Sequence, residues 1–235
     1  MTIRYLGYSS FLVKAKEAVA VIDPFSPDAV GLPFPKVLAN IVLVSHDHPG
    51  HNNVGAVGLA SATSPCCEMG KWCGPFVIDG PGEYELSGIK IWGFPSFHDD
   101  KKGAERGKNT IYLLEVEGLT LCHLGDLGHP LEEAVVKEIG SPHVLFIPTG
   151  GVYTIDCGMA AKVVAQLEPK IVVPMHFRVP GMKEEYNKLA AVSAFLEEMG
   201  LPAQAGAGEV TPPKELKVMP TTLPEETEVV VLERG

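Results

Sequence analysis

Three histidines fall within six residues in Ser45-His46-Asp47-His48-Pro49-Gly50-His51, directly after the apolar run Ile41-Val42-Leu43-Val44. A short run of branched residues reads as a buried strand, and the loop after it delivers its side chains to one edge of a sheet. Neutral imidazole is the commonest protein metal ligand. Zinc sites that perform chemistry use three protein ligands and keep a position open for water. The loop therefore points to a sheet edge that carries a metal ion and to metal-dependent hydrolysis.

The strand pattern around the loop supports a sheet-rich fold. Ile3–Leu6, Phe11–Val13, Val19–Ile22 and Ile41–Val44 read as strands, as do Phe76–Ile78, Ile89–Phe94, Thr110–Val116 and Leu119–His123. Glu117-Gly118 reads as a hairpin turn between the last two. Val144–Ile147 and Ile171–Val173 follow, and Val229–Leu232 reads as a closing strand. Helices are expected at Leu131–Ile139, at Asp156–Leu167 with Asp156 as N-cap, and over Lys183–Met199 as the longest of them. The only linker-like stretch is Ala203–Pro213, so residues 1–235 read as one domain of class α/β (α+β), with sheets covered by helices.

Composition excludes several functions. The formal net charge is -10 and no basic block occurs, which argues against a nucleic-acid surface. No stretch is apolar for long enough to span a bilayer. The start of the chain has no leader pattern, and the five cysteines are irregularly spaced, which suits free thiols and a cytoplasmic setting. Cys66, Cys67 and Cys73 lack a Cys-x-x-Cys pair and read as thiols, not as a zinc cluster. Monomer and homo-oligomer both stay open.

Three further positions share the pattern of a metal-competent side chain after a strand: His98 after Ile91–Phe97, Asp126 in His123-Leu124-Gly125-Asp126-Leu127-Gly128-His129, and His176 after Ile171–Met175. In this order they resemble the metallo-β-lactamase superfamily, within it the stand-alone metal-dependent hydrolases that include ascorbate-6-phosphate lactonase-like proteins. Ile22-Asp23-Pro24-Phe25, Gly80-Pro81-Gly82-Glu83-Tyr84-Glu85, Arg106-Gly107-Lys108-Asn109-Thr110 and Pro174-Met175-His176-Phe177 add to the resemblance.

The resemblance implies a four-layer αβ/βα sandwich of two mixed sheets flanked by helices. It implies one or two zinc ions, with manganese or iron as other occupants. His46, His48 and His98 would form the first metal site, Asp126 would bridge, and His51 and His176 would belong to the second. Asp126 and His176 are the expected catalytic residues. Metal-bound hydroxide acting on an ester, lactone or phosphodiester is the expected chemistry. The family's loop aspartate falls at Gly50, which has no side chain. The second metal then binds with fewer ligands, or one metal suffices, or another carboxylate (Asp47, Glu83 or Asp99) substitutes. A non-catalytic binding protein is the rival reading.

Around these residues, Asp23 is expected to orient a ligand histidine or to satisfy backbone donors in a turn. Arg178 and His129 are the expected contacts to a small-molecule substrate, anionic if Arg178 binds it, while His129 reads equally as a partner behind the ligands or as a surface histidine. Arg106 and Lys108 are the other cations considered, with Lys108 read as solvated loop charge. His123 and His143 read as structural.

Overall fold

The computed structural model describes residues 1–60, 74–202 and 212–235. The chain begins with a three-stranded antiparallel meander, β1 (Thr2–Gly7), β2 (Ser10–Lys14) and β3 (Val19–Ile22). A four-residue helix α1 (Pro27–Val30) leads to β4 (Val37–Ala39) and β5 (Ile41–Leu43). Next come β6 (Val57–Leu59), β7 (Phe76–Ile78), β8 (Gly82–Leu86), β9 (Ile89–Phe97), β10 (Lys108–Val116) and β11 (Leu119–His123). The remainder alternates: α2 (Glu133–Ile139), β12 (Val144–Pro148), α3 (Cys157–Leu167), β13 (Ile171–Met175), α4 (Val192–Glu198), β14 (Leu216–Lys217) and β15 (Glu228–Val229).

Two mixed sheets result. One has the order β14-β1-β2-β3-β5-β7 and the other β15-β13-β12-β11-β10-β9-β8. Ile3, Phe11, Val13, Ile22, Ile41 and Leu43 of the first meet Ile91, Tyr112, Leu114, Leu121, Phe146 and Val173 of the second in one core. Phe11 stands at its middle, with its ring 4.3 Å from that of Phe146. Residues alternate faces along a strand, so Ile111, Leu113, Cys122, Leu145 and Val172 point outward, where α2, α3 and α4 cover them through Ile139, Val163, Leu167 and Phe195. The outer face of the first sheet, with Leu12, Val21 and Val42, packs under Val37, Ala39 and Val57 of the small parallel pair β4–β6. This is an α/β sandwich of two mixed sheets with flanking helices.

Local chemistry explains the well-placed boundaries. Glu117 and Gly118 both have positive φ, 53° and 74°, as a tight hairpin turn demands. Asp156 caps α3 by accepting a hydrogen bond from the Met159 N–H at 2.8 Å. The stretch 203–211, most of the expected linker, lies outside the described residues, as do Cys66, Cys67 and Cys73. Cys122 is buried and Cys157 half-buried, both as free thiols.

Two expectations are corrected. Lys183–Met199 is not one helix. A short 3₁₀ turn (Glu184–Lys188) is followed by an extended stretch before α4. There the Ala190 N–H donates to the Gly150 carbonyl, the Arg178 N–H donates to the Ala190 carbonyl, and Leu189 is buried. These long-range contacts outweigh the local helical preference. Val229–Leu232 is also not a continuous strand. The Val230 N–H still donates to the Val172 carbonyl of β13, but beyond it the chain leaves the second sheet, Arg234 bridges Tyr5, and the Gly235 N–H donates to the Tyr5 carbonyl. The tail thus ties the two sheets together.

Candidate metal centre

Strand ends of both sheets deliver the site. Tyr8 follows β1, Asp23 follows β3, His46 and His48 follow β5, His98 follows β9, Asp126 follows β11 and His176 follows β13. All lie past the C-terminal ends of their strands, on one edge of the sandwich. Three of them are held in left-handed backbone: Tyr8 (φ 57°), Asp23 (φ 47°) and His176 (φ 51°). Non-glycine residues rarely adopt this conformation, and their clustering marks the edge as a constrained site. Gly128 allows a close approach: a Cβ on it would stand 2.4 Å from the His98 carbonyl carbon and the Asp99 nitrogen.

Four imidazoles converge on one carboxylate oxygen. Asp126 Oδ2 lies 3.1 Å from His51 Nε2, 3.2 Å from His176 Nε2, 3.3 Å from His98 Nε2 and 3.9 Å from His46 Nε2. His48 completes the ring of imidazoles, its centroid 4.6 Å from that of His46 and 5.2 Å from that of His98. His46, His51, His98, Asp126 and His176 are all buried, and His48 is partly exposed. Donor atoms of His46, His48 and His98 lie within 4.8 Å of one another, and so do those of His51, Asp126 and His176.

Asp23, Ser45 and the histidines form a directed network. Ser45 donates to Asp23 through its N–H (2.7 Å) and its Oγ (2.6 Å). His51 Nδ1 lies 3.0 Å from Asp23 Oδ2, and His46 Nδ1 lies 2.9 Å from Ser45 Oγ. With both Nδ1 atoms engaged on this side, both Nε2 atoms face Asp126. Asp23 and His46 with His51 also form a group of donor atoms within 4.8 Å. Both Asp23 oxygens are engaged by this network.

The electrostatics follow from burial and this network. Burial works against a charged imidazole at His51, but Asp126 and Asp23 outweigh it and lift its pKa to about 10. Burial, with His51 beside it, holds His46 far below the ordinary histidine value. Burial and His98 lower His48. Burial alone would raise Asp126, but His176 and His51 outweigh it and keep the carboxyl well below the usual range. Even so, among the described residues His46 Nε2, His98 Nδ1 and His176 Nδ1 are buried without a hydrogen-bond partner, and His176 Nε2 has only the Asp126 oxygen near it. Each unpartnered buried polar atom costs about 1–3 kcal/mol. Imidazole nitrogens gathered on a carboxylate are the donor set of a divalent transition metal, so the residues present fit such an ion.

The centre opens into a cleft of about 430 Å³ bordered by Tyr8, Arg106, Tyr153, Lys183, Glu185 and Tyr186. That volume lies in the range of small-molecule sites. Tyr186 reaches the cleft from the 3₁₀ turn Glu184–Lys188. The Arg106 guanidinium donates to the Val152 carbonyl at 3.2 Å and sits 5.6 Å from the Tyr153 ring centroid.

Two expected substrate contacts lie elsewhere. Arg178 is exposed and does not border the cleft. His129 spends both ring nitrogens on backbone, accepting from the Phe97 N–H at 3.2 Å and facing the Pro130 carbonyl at 2.7 Å. Among the described residues, Arg106 and Lys183 are the lysine and arginine side chains that border the cleft. Lys108 is exposed on β10. His123 and His143 bond to backbone or to Thr120 and stay outside the centre.

None of the carboxylates considered for the Gly50 vacancy fills it. Asp47 is exposed and accepts from Asn52. Glu83 is exposed on the edge strand β8. Asp99 accepts four backbone N–H bonds, from Lys101, Gly103, Glu105 and Arg106. Sequence reasoning did not single out Tyr8, Tyr153 or Tyr186, because no short-range pattern marks residues that meet only through the fold.

Comparison with known proteins agrees with this geometry. Residues 2–176 match the family described as a β-lactamase superfamily domain. A UPF0173 metal-dependent hydrolase of Thermococcus onnurineus is 29% identical over 212 residues, covering 82% of this chain and 93% of the relative. A protein of the same name from Hyperthermus butylicus is 28% identical over 224 residues, covering 84% and 88%. The crystal structure of a proposed Zn-dependent hydrolase of the metallo-β-lactamase superfamily from Thermotoga maritima superposes with a TM-score of 0.71 at 32% identity, covering 98% of this chain and 97% of that one. The convergence of strand ends on Asp126, the match to the family over most of the chain and the shared fold lead to one assignment: this chain belongs to the metallo-β-lactamase superfamily.

Proposed function

We propose that this protein is a hydrolase whose metal centre is held by His46, His48, His98 and Asp126, with His51 and His176 completing the side of the centre next to Gly50. The observation that carries the reading is the gathering of four histidine Nε2 atoms within 3.9 Å of one Asp126 oxygen. A divalent ion held by these residues would supply Lewis acidity for hydrolysis near neutral pH. Zinc suits the donor set, and manganese or iron are alternative occupants.

The chain's own residues do the rest. Asp23 and Ser45 fix the tautomers of His51 and His46. Asp126 stays ionised at the centre, and His176 sits beside it on the reacting face. The Tyr8, Tyr153 and Tyr186 rings border the cleft, and Arg106 and Lys183 bring two cations to it beside Glu185. This favours a small anionic ester, lactone or phosphodiester, with the Arg106 fork meeting the anionic group. A binding-only role has the Gly50 vacancy in its favour.

The test is a panel of anionic and neutral esters, lactones and phosphodiesters, offered to protein reconstituted with zinc, manganese or iron. The proposal expects metal-dependent turnover that His48→Ala and Asp126→Ala abolish. Arg106→Ala should raise KM for anionic substrates more than for neutral ones. Silence across the panel in every metal form favours the binding-only role.

A further inference from the structure

Gly50 lacks a side chain, and the backbone does not explain why. Its φ lies outside the left-handed region that favours glycine. What closes the position is space. A Cβ on residue 50 would stand 2.9 Å from Tyr8 Cε1 and 3.7 Å from Tyr8 Cδ1 and Cζ, with Tyr8 the source of all three nearest contacts.

Tyr8 has little room to withdraw. It is 4% exposed and shares a cluster with Phe25, Val30 and Leu32. Its carbonyl accepts hydrogen bonds from Tyr5 Oη at 3.0 Å and from the His176 N–H at 2.8 Å. Its ring lies 4.4 Å from the His176 ring, 5.1 Å from His51 and 5.4 Å from Tyr186. The same ring that shuts residue 50 thus also packs on the two histidines beside it.

We propose that Tyr8 sets the metal stoichiometry of the centre: its ring takes the place of a side chain at position 50 and leaves the His51–Asp126–His176 group short of a ligand. This rests on the metal-centre reading above. The His46–His48–His98 side keeps its donors and holds one ion tightly. The other side offers three donors and an aromatic wall, so a second ion binds weakly. Tyr8 is a positioning residue here, since it acts by excluding a carboxylate and by packing His51 and His176.

The experiment is a pair of double-variant cycles on the full chain. Zinc stoichiometry and affinity are read by competition with a chromophoric chelator, and thermal midpoints are read on metal-free protein. Wild type should bind one ion tightly. Gly50→Ala and Gly50→Asp should each lower the metal-free midpoint, and Tyr8→Ala in the same chain should relieve that loss. Tyr8→Ala/Gly50→Asp should bind a second ion roughly tenfold or more tightly than wild type.

Two tight ions in wild type, or in Gly50→Asp alone without loss of midpoint, overturn the proposal. A double variant that still holds one ion overturns it too. If wild type binds no ion and His98→Ala changes nothing, the metal-centre reading fails and this proposal with it. The metal-free midpoints would still report whether the Tyr8–Gly50 contact is real.

Discussion

Asp23 Oδ2 lies 3.0 Å from His51 Nδ1, while the same carboxylate receives the Ser45 N–H and Oγ–H. One buried carboxylate therefore aims His51 directly and His46 through Ser45. Asp23→Asn retains the size of the side chain but loses an acceptor, so one of these donors is left without its partner. We expect zinc affinity to fall about 10–100-fold, with the far-ultraviolet circular dichroism unchanged. Unaltered affinity in competition titrations would show that Asp23 does not orient the ligands.

Asp99 organises the loop that carries Arg106 to the cleft. Its two oxygens accept the N–H groups of Lys101, Gly103, Glu105 and Arg106. Burial works against the carboxylate, yet these donors hold its pKa down to about 2. Asp99→Ala frees four backbone donors at once. Trypsin should then cut faster after Lys101 and Lys102 than in wild type, and a preference for anionic substrates should weaken with it. Equal cleavage rates would mean that the loop holds its shape without the carboxylate.

Much of this was legible in the sequence, for identifiable reasons. Ile41–Val44 and Ile171–Val173 are short, continuous branched runs, the pattern of strands buried on both faces. Glu117-Gly118 and Asp156 carry turn and cap chemistry that acts within a few residues. The residues after β5, β9, β11 and β13 stood out because histidine and aspartate at strand ends are chemically distinctive. Lys183–Met199 misled because helical periodicity reports local preference, whereas Ala190 bonds to Gly150 across the fold. The Tyr8–Gly50 contact joins positions 42 residues apart, and nothing near either one announces it.

His123 gives a pH signature away from the centre. It is buried, its Nε2 faces the Ser9 carbonyl at 2.9 Å, and its Nδ1 accepts the Gly125 N–H at 3.1 Å. Burial, partly offset by Asp23, lowers its pKa from the ordinary value. A histidine kept neutral in the fold takes up its proton preferentially when unfolded. Its contribution to stability is present above about pH 6.5 and is lost as pH falls below that value. The urea midpoint of metal-free protein should decline between about pH 7.5 and 5, and less steeply in His123→Gln. Parallel declines would place the titration on other groups.

Phe11 bridges the two sheets. It is fully buried, with Phe146 at 4.3 Å and Tyr5 at 5.2 Å between ring centroids. Phe11→Ala should cost about 3–5 kcal/mol, read from denaturant melts. A cost below about 1 kcal/mol would mean that the core collapses around the deletion.

We propose that His46, His48, His98 and Asp126 hold a metal ion. Elemental analysis of protein reconstituted with zinc and then dialysed against buffer tests it directly. One ion per chain is expected in wild type and none in His46→Ala/His98→Ala. Wild type that emerges metal-free, or a double variant that keeps the same zinc content as wild type, would contradict it.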